Sequence, residues 1–456
     1  MIDILLFDRI GAKLDVYEKL NQYYKMSIYT HVIARDKRTI VCNTGNGMFV
    51  RMPTECWEVV QSYLEDYTPQ EVCNAANIED QEYYKEIYLK LLEAKLLVLL
   101  DEEHLDEVYL IITNRCNLRC VHCCAEAEEL QGEDPLSTNE WLKIIDKLIE
   151  QNVNRLVITG GEPLVRNDFF EILDYLKKNF NGQLILSTNG LLITENNVKK
   201  IAKSFDAISI SIDGYDEDTC SQIRGKGVFS KVISNINLLK NIGYNPQSIS
   251  LSMVDTVVTH DGIELFEKLC NNLDIKPIVR TFSAVGRGKN SARKLQILET
   301  GPVHGVYTEN EDVKKRLDLS CMICQNCNAG RTKLSINQYG DIFPCAVLDS
   351  KEYCLGNILK DSDILPSLVN LQCEKYKSKE KNKGLEAFNK LLIKNNEKCS
   401  KCDVAPFCVM CLETFIHEKE KYGLNGICNA NKEFLSEVIG IIKRVFECYG
   451  LGNESM

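Results

Sequence analysis

Three cysteines, Cys116, Cys120 and Cys123, are spaced C-x3-C-x2-C directly after an apolar, strand-like run. Thiolates in such tight spacing suit metal ligation, and three of them suit an iron–sulfur cluster. A four-iron cluster held by three thiolates leaves one iron open, and an open iron can chelate a small molecule. Zinc is the alternative, because His122 or Cys124 could complete the four ligands of a closed structural site.

Further polar groups follow the next strand-like runs. Thr159-Gly160-Gly161-Glu162-Pro163 follows the second run, where two glycines permit close backbone approach and Glu162 offers an acceptor for an ammonium group. Ser187-Thr188-Asn189-Gly190 ends the third run, and Ser209-Ile-Ser211-Ile-Asp213-Gly214 ends the fourth. Arg224 lies in Ile-Arg-Gly-Lys-Gly, and its fork-shaped guanidinium suits a carboxylate. The alternatives are ordinary strand-end capping for the serines and a solvated loop position for the arginine.

The elements that must position these residues alternate between strand and helix patterns from Val108 to about Ser283. The strand-like runs are Val108–Thr113, Arg155–Thr159, Gln183–Thr188, Ala207–Ile212, Ile249–Val254 and Pro277–Phe282. The helical stretches are Asn139–Gln151, Phe169–Asn179, Asn196–Ser204, Phe229–Ile242 and Gly262–Asn272. This alternation predicts an α/β fold with a parallel sheet and right-handed crossovers. Six repeats predict a partial (β/α)6 barrel, with functional loops at the carboxyl ends of its strands.

Before the barrel, residues 28–100 form a small unit of strand and helix patterns. Two strand-like runs, Val32–Arg35 and Thr39–Cys42, precede a Gly- and Asn-rich turn at 43–47 that fits a hairpin. Helical patterns then begin near Pro53, Thr68 and Tyr83, and 96–100 is a possible closing strand. Strands followed by three helices look like a winged-helix unit, and a generic N-terminal cap is the plainer interpretation.

After the barrel the chain becomes rich in cysteine, and the whole sequence holds 21. The candidate ligands there are Cys321, Cys324, Cys327, Cys345, Cys399, Cys402, Cys408, Cys411 and Cys428. Tight C-x2-C pairs in a chain of this size favour metal ligation over a disulfide scaffold. A zinc ribbon would account for the four cysteines of 399–411, but not for the upstream C-x3-C-x2-C motif.

Length and composition limit the remaining possibilities. The 456 residues exceed one hydrophobic core, and we expect three domains, at 1–105, 106–300 and 301–456. A formal net charge of −11 argues against a nucleic-acid partner, which favours a basic surface. No apolar run is long enough to cross a membrane, and the first residues lack the features of a signal peptide. We therefore expect a cytoplasmic protein without a membrane partner.

The cysteine motif, in its spacing and its position after the first strand, resembles the signature of the radical S-adenosylmethionine (SAM) superfamily. The Gly-Gly-Glu-Pro segment resembles the motif with which that family meets the methionine amino group of SAM. The resemblance implies that Cys116, Cys120 and Cys123 hold a [4Fe–4S] cluster whose open iron binds SAM. Reductive cleavage would then yield a 5′-deoxyadenosyl radical that removes a substrate hydrogen atom. The cofactor-contacting residues it implies are His122, which takes an aromatic position beside adenine, Gly160, Gly161, Glu162, Ser187, Asn189, Ser211 and Arg224. For His122 a solvated loop position is the alternative.

The later cysteines resemble, in their order, a SPASM domain with two auxiliary [4Fe–4S] clusters, which makes three clusters in all. The resemblance implies one ligand set of Cys321, Cys327, Cys345 and Cys411, and another of Cys399, Cys402, Cys408 and Cys428. Two departures leave the first set open. The family usually has three residues between the last pair of the compact run, whereas Cys408 and Cys411 are separated by two, and Cys324 competes with Cys321.

The N-terminal unit resembles the peptide-recognition element of ribosomal-peptide maturases, which adds a leader peptide as an extra strand. The resemblance implies an oxidoreductase that takes electrons from a flavodoxin- or ferredoxin-type donor and acts on a precursor peptide. The leading hypothesis is a cross-link, most simply a thioether from cysteine to carbon. Carbon–carbon cross-linking and side-chain oxidation of a protein are alternatives, and a non-catalytic iron–sulfur protein is the alternative outside enzymes. No catalytic residue is assigned from the sequence.

Overall fold

The computed structural model describes residues 16–27, 30–35, 37–43, 48–100, 105–128, 130, 132–295, 329–330, 332–361, 364, 382–392, 397–399, 402, 412, 416, 425 and 428. The predicted ligands Cys321, Cys324, Cys327, Cys408 and Cys411 lie outside the described residues. Within this part of the chain, no helix is long and apolar enough to cross a membrane.

The N-terminal unit combines antiparallel strands with helices. Its elements are α1 Val16–Leu20, β1 Tyr24–Met26, β2 Thr30–Arg35, β3 Arg38–Asn43, β4 Phe49–Pro53, α2 Thr54–Tyr63, α3 Pro69–Ala75, α4 Gln81–Glu93 and β5 Leu97–Leu99. Strands β2, β3 and β4 form one sheet in that order, and β1 pairs with β5. The helices pack on the strands through a core that includes Val50, Trp57, Tyr88 and Leu91.

The structure confirms the predicted strand pair and the three helices of this unit. It adds β4, because the chain returns beyond 44–47 and the Asn43 amide donates to the carbonyl of Met48 at 2.8 Å. That strand was not predicted, since Phe49-Val-Arg-Met-Pro53 is short and ends in proline, and its pairing with β3 creates it. A capping box starts α3, where Thr68 and Glu71 exchange hydrogen bonds.

The barrel region follows the predicted alternation closely. Its elements are β6 Glu107–Ile111, α5 Thr138–Glu150, β7 Arg155–Thr159, α6 Phe169–Asn179, β8 Gln183–Thr188, α7 Val198–Ser204, β9 Ala207–Ser211, α8 Glu217–Arg224, α9 Val228–Asn241, β10 Ile249–Asp255, α10 Ile263–Leu273, β11 Lys276–Thr281 and α11 Gly288–Leu295. Strands β6 to β11 are parallel neighbours in chain order. The six-stranded parallel sheet expected of a partial barrel is therefore present.

Two barrel helices, α11 and α8, were not predicted. The sequence of α8 is mostly polar, and its only two hydrophobic residues are the buried Cys220 and Ile223, so an apolar stripe is hard to recognise. The signal that could have found α8 is the capping box at Asp216, whose side chain accepts from the Thr219 amide at 2.8 Å.

The sheet has two unlike faces because strand residues alternate. One face is apolar and packs on the helices, as with Leu110, Ile158, Leu186, Ile210 and Leu251. The opposite face, which we call the inner face, carries many of the polar residues. It includes Tyr109, Ser187, Ser209, Ser211, Ser250 and Ser252.

The sheet does not end with the six barrel strands. Strand β12, Lys333–Ile336, pairs in parallel with β6, and the short antiparallel strands β13, Asp341–Phe343, and β14, Gly356–Asn357, continue beyond it. Helix α12, Lys383–Leu391, packs nearby and buries Phe388. The C-terminal region therefore joins the barrel by a continuous backbone ladder.

A buried carboxylate lies at this junction. Glu107 on β6 is 4% exposed and pairs with Lys333 of β12 at 2.8 Å and with Arg155 of β7 at 3.0 Å. Burial alone would raise the pKa of Glu107, but hydrogen bonds and positive charge from Lys333 and Arg155 lower it overall. Through these two ion pairs, Glu107 links β6 to both neighbouring strands, β7 and β12.

We expect Glu107→Ala to destabilise the folded chain by about 1–3 kcal/mol, because it leaves two basic side chains without their buried acceptor. The measurement is the apparent melting temperature of the reconstituted protein. The control is Glu86→Ala, which removes one half of an i,i+4 pair with Lys90 on α4 and should cost no more than about 0.5 kcal/mol. Equal shifts for the two variants would contradict a structural role of the junction.

Candidate active site

The sequence-predicted residues of the barrel meet at the carboxyl ends of the first four parallel strands. The cysteine loop, residues 116–128, follows β6, and the Gly160-Gly161 turn follows β7. Asn189 follows β8, and Asp213 follows β9. Parallel strands in chain order bring these loops side by side, which is the position where α/β sheets bind ligands.

The three thiols of the C-x3-C-x2-C motif in the cysteine loop receive hydrogen bonds. The Leu118 amide donates to Cys116 Sγ at 3.3 Å, and the Ala127 amide donates to Cys123 Sγ at 3.5 Å. Arg224 Nη1 lies 3.8 Å from Cys120 Sγ as a third donor. N–H donors directed at sulfur stabilise thiolate ligands and tune the reduction potential of an iron–sulfur cluster.

The chemistry of the three thiols fits a cluster better than isolated cysteines. Burial raises the pKa of Cys116 to about 11, and negative charge on Glu162, Cys120 and Cys123 raises it further. The Cys116 thiol becomes a ligand only when a metal displaces its proton. Among the described residues, no three acidic, histidine or cysteine side chains surround a point where one ion could bind. Ligands of a four-iron cluster need no such point, because each binds a different iron.

The two glycines of the second motif lie against the strand that leads to the cysteines. A Cβ on Gly160 would overlap the Thr113 carbonyl, and a Cβ on Gly161 would overlap the carbonyls of Asn114 and Arg115. The Gly161 amide donates to Thr113 O at 2.8 Å, and the Glu162 amide donates to Arg115 O at 2.9 Å. The close approach expected of these glycines is therefore made to the protein's own backbone.

Glu162 is completely buried beside the first cysteine. Its carboxylate accepts from the Thr188 hydroxyl at 2.8 Å, the Asn189 amide at 2.7 Å and the Leu164 amide at 3.2 Å. Burial raises the pKa of Glu162 to about 7, although these hydrogen bonds act in the opposite direction. A buried carboxylate without a basic hydrogen-bond partner would be stabilised in its charged form by an incoming cation.

Asn189 connects the third strand to the cysteine loop. Its Nδ2 donates to Asn117 Oδ1 at 2.7 Å and lies 3.9 Å from Cys116 Sγ. Ser187 and Ser211 are half-buried on the inner face, next to Ser209 and Ser252 respectively. The structure therefore brings Asn189 to the cysteines and leaves the two serines on the open side of the sheet.

A buried ion pair joins the fourth strand to the cysteine loop. Asp213 is 1% exposed and binds Arg224 Nε at 2.6 Å, His122 Nε2 at 2.9 Å and the Val254 amide at 2.6 Å. Burial would raise the pKa of Asp213, but Arg224 and His122 hold it well below its usual range. Neither Arg224 nor His122 is the solvated loop side chain that the sequence left open. The buried His122 Nδ1 has no hydrogen-bond partner in the described part of the chain.

Arg287 is a site residue to which the sequence assigned no role. It follows β11 in Gly286-Arg-Gly288, and its guanidinium donates to the carbonyls of Cys120 at 3.3 Å and Ala127 at 2.6 Å. Its amide donates to Cys123 O at 3.0 Å, and Gly286, at φ +53°, lies against the backbone of Cys123 and Cys124. The last barrel strand therefore closes over the loop that the first strand positions. A Gly-x-Gly after a strand was the available signal.

Asp134 is a second residue that sequence reasoning missed. It accepts from Thr113 Oγ1 and pairs with Arg115 at 2.5 Å, while Arg166 lies 3.8 Å away and donates to Ile112 O at 2.8 Å. These bonds fix the backbone immediately before Cys116. No local pattern marks this residue, because its partners lie on separate segments.

Four of the predicted C-terminal ligands lie within the described residues: Cys345, Cys399, Cys402 and Cys428. Cys345 packs against a small core of Ala329, Leu348, Phe388 and Leu412. Cys399 and Cys402 share a turn, in which the Cys402 amide donates to Cys399 O at 3.0 Å. Cys428 is half-buried.

Comparison with known proteins gives two family matches. Residues 110–270 match the radical SAM superfamily, and residues 327–403 match the SPASM iron–sulfur cluster-binding domain. The first match contains Cys116, Cys120 and Cys123 and all of the predicted SAM-contacting residues. The second contains Cys327, Cys345, Cys399 and Cys402.

Several relatives share much of the chain. The antilisterial bacteriocin subtilosin biosynthesis protein AlbA of Bacillus subtilis is 28% identical over 73% of this chain and 72% of its own length. The mycofactocin maturase MftC of Mycolicibacterium smegmatis is 30% identical over 55% of this chain and 66% of its own length. Among solved structures, Streptococcus suis SuiB bound to S-adenosylmethionine aligns with a TM-score of 0.50 at 18% identity, covering 86% of this chain and 97% of SuiB. At this level of sequence identity, the similarity to SuiB shows a shared fold only.

We expect Gly161→Ala to disturb the cysteine loop, because the added methyl would overlap two backbone carbonyls and overpacking of this kind costs about 1–3 kcal/mol. The measurement is iron and sulfide content per chain after anaerobic reconstitution, which should fall. Gly243→Ala is the matched control, since no atom lies within 4 Å of its Cβ position and only the positive φ of 84° opposes it. Full cluster content in Gly161→Ala would show that the loop does not depend on this contact.

Proposed function

The chain is a radical SAM enzyme with a C-terminal SPASM domain, and we propose that it matures a ribosomally made precursor peptide by removing a hydrogen atom and forming a cross-link. The similarity to AlbA across most of both chains is the observation that carries this proposal. AlbA serves bacteriocin biosynthesis and MftC is a maturase, and both point to this class of substrate.

Radical chemistry would come from SAM and a [4Fe–4S] cluster, which together supply a 5′-deoxyadenosyl radical when an external flavodoxin- or ferredoxin-type donor provides an electron. The protein's part is to bind, orient and shield. Cys116, Cys120 and Cys123 would hold the cluster, and the hydrogen bonds to their sulfurs support that role. Arg287 and the Gly160-Gly161 turn would keep the loop in place from opposite sides.

Glu162 would accept the methionine ammonium of SAM. Its three hydrogen-bond donors fix the carboxylate beside Cys116, and its raised pKa makes a cationic partner favourable. Gly160 and Gly161 allow the backbone carrying it to lie close to the cysteines. Ammonium binding would therefore occur next to the iron that lacks a thiolate.

The remaining parts of SAM would meet the next strands. Ser187, Asn189 and Ser211 offer hydroxyl and amide groups for the ribose at the ends of β8 and β9. Arg224 gives Nε and Nη2 to Asp213 and Nη1 to Cys120, which leaves two of its five N–H groups for the methionine carboxylate. His122 is held by Asp213 and would contact adenine.

The N-terminal unit, whose strands and helices resemble a winged-helix domain, would recognise the leader part of the peptide. Strand β2 is an edge of the described β2–β3–β4 sheet, and Val32 on it is 38% exposed. An edge strand can accept an extended peptide as a further strand through backbone hydrogen bonds.

The SPASM domain would carry two further [4Fe–4S] clusters. Ala329, two residues after Cys327, and Leu412, directly after Cys411, belong to the same small core against which Cys345 packs. The order of the cysteines supports a shared set of Cys345, Cys327 and Cys411 with Cys321 or Cys324. The turn at Cys399 and Cys402 would belong to the second set, with Cys408 and Cys428.

The simplest product is a thioether between a cysteine sulfur and a carbon of the same peptide. Such a bond removes two hydrogens, one from the thiol and one from carbon, and an auxiliary cluster could bind the sulfur or accept the remaining electron. Carbon–carbon cross-linking and side-chain oxidation are the competing reactions. Mass spectrometry of a co-expressed peptide encoded beside the gene distinguishes them, because a thioether consumes a titratable thiol with each loss of two hydrogens.

We expect the reconstituted protein to form 5′-deoxyadenosine from SAM under strong reductant, and Cys123→Ala to abolish this formation by removing one ligand. Cys124→Ala is the matched control: the neighbouring thiol is exposed, and its loss should leave the rate within about twofold of wild type. Chromatography of the anaerobic reaction gives the measurement. An inactive wild type with full iron content would favour a non-catalytic iron–sulfur protein.

We expect removal of residues 1–100 to weaken peptide binding at least tenfold, since coupled strand addition supplies backbone hydrogen bonds that the barrel cannot replace. Fluorescence anisotropy with the labelled precursor peptide measures the affinity. Iron content of the truncated protein shows whether the barrel remains folded. Unchanged affinity in a cluster-containing truncation would place leader recognition elsewhere.

A further inference from the structure

The inner face of the barrel sheet is basic, although the chain as a whole carries a formal net charge of −11. By strand alternation it presents four basic side chains in its described part, Arg155, Lys276, Arg280 and Lys333, against two carboxylates, Glu107 and, on the adjoining β13, Asp341. Glu107 pairs with Arg155 and Lys333 at the junction of β6, β7 and β12. A locally basic surface in an acidic protein attracts an anionic ligand.

Arg280 is the basic residue of this face that lies nearest the carboxyl end of its strand. It is the fifth residue of β11, and the chain reaches the cysteine loop a few residues later at Gly286 and Arg287. Its Nε donates to Ser252 Oγ at 2.9 Å, and Ser252 is 5% exposed between the helix-facing Leu251 and Met253. The buried serine therefore directs an exposed guanidinium along the inner face.

The donors of Arg280 are arranged for a carboxylate. Because Nε is occupied by Ser252, the two terminal nitrogens remain as a parallel pair of donors. No acidic side chain of the described residues lies within ion-pair distance of them, in contrast to Arg224, Arg166 and Arg155. Planar end-on pairing with a carboxylate is the interaction that this geometry favours.

We propose that Arg280, oriented by Ser252, binds a carboxylate of the substrate peptide inside the barrel, so that an Asp or Glu side chain or the peptide's C-terminus anchors the segment to be modified. The inference rests on the proposed peptide-maturase function. Such an anchor would fix the reacting segment relative to the SAM site at the strand ends, and positioning of this kind contributes strongly to rate. The methionine carboxylate of SAM has the same chemistry and is the competing source.

The test measures affinity with the cluster-containing protein and the precursor peptide encoded beside the gene. The peptide is prepared intact and as a set in which each Asp or Glu is changed singly to Asn or Gln and the C-terminus is amidated. We expect Arg280→Gln to weaken binding of the intact peptide about tenfold or more, the loss typical of a charged hydrogen-bonded pair. One member of the set should show the same loss with the wild-type protein and little further loss with Arg280→Gln, because both changes remove one interaction.

Lys276→Gln is the matched control, since it removes a basic side chain from the same face of β11 four residues earlier and should change peptide affinity less than threefold. Binding of SAM is measured in parallel for Arg280→Gln and should match wild type. Weakened SAM binding would assign Arg280 to the methionine carboxylate and overturn the proposal. Unchanged peptide binding by Arg280→Gln would also overturn the proposal. The same conclusion would follow if the loss of binding free energy in Arg280→Gln were additive with the loss caused by every one of the peptide changes.

The outcomes also separate this inference from the proposed function. If wild-type protein modifies the peptide and Arg280→Gln binds it equally well, the anchor is wrong and the maturase function stands. If wild-type protein neither binds nor modifies the peptide, the maturase function fails, and the anchor fails with it.

Discussion

The close approach of the Gly160-Gly161 turn to the backbone at residues 113–115 is the contact on which the rest of the site depends. It is made by main-chain atoms, so it places Glu162 beside Cys116 with little freedom. The same approach lets the Glu162 carboxylate accept hydrogen bonds from the Thr188 hydroxyl and the Asn189 amide at the end of the next strand. One side chain larger than hydrogen at either glycine would separate the cysteine loop from the residues proposed to bind SAM.

Two buried carboxylates organise opposite sides of that loop in different electrostatic ways. Glu162 has only neutral hydrogen-bond donors and keeps a raised pKa, so it is suited to receive a cation from a ligand. Asp213 already has Arg224 and His122 as partners and stays charged, so it serves to hold protein side chains. The difference in partners gives two acidic residues at adjacent strand ends separate tasks.

The first and last strands of the partial barrel are connected through the same site. Arg287 after β11 binds carbonyls of the loop that follows β6, and β12 extends β6 on its other edge. The C-terminal domain is thereby built onto the strand that carries the cysteines. The inner face enclosed between these strands is where a substrate would have to meet the radical, and its basic character sets it apart from the acidic chain around it.

The sequence by itself determined the cysteine motif, the glycine turn and the six barrel strands, because spacing and periodicity act over a few residues. Strands β7 and β8 and helix α6 have the predicted bounds. It could not show that Asp213 would hold both His122 and Arg224, that Asp134 and Arg287 would fix the cysteine loop, or that β12 would pair with β6. Those contacts join segments from about ten to more than 200 residues apart. The partners of each buried charge lie on different segments of the chain. Only the order of the strands in the folded sheet brings those segments together, and local sequence patterns do not predict that order.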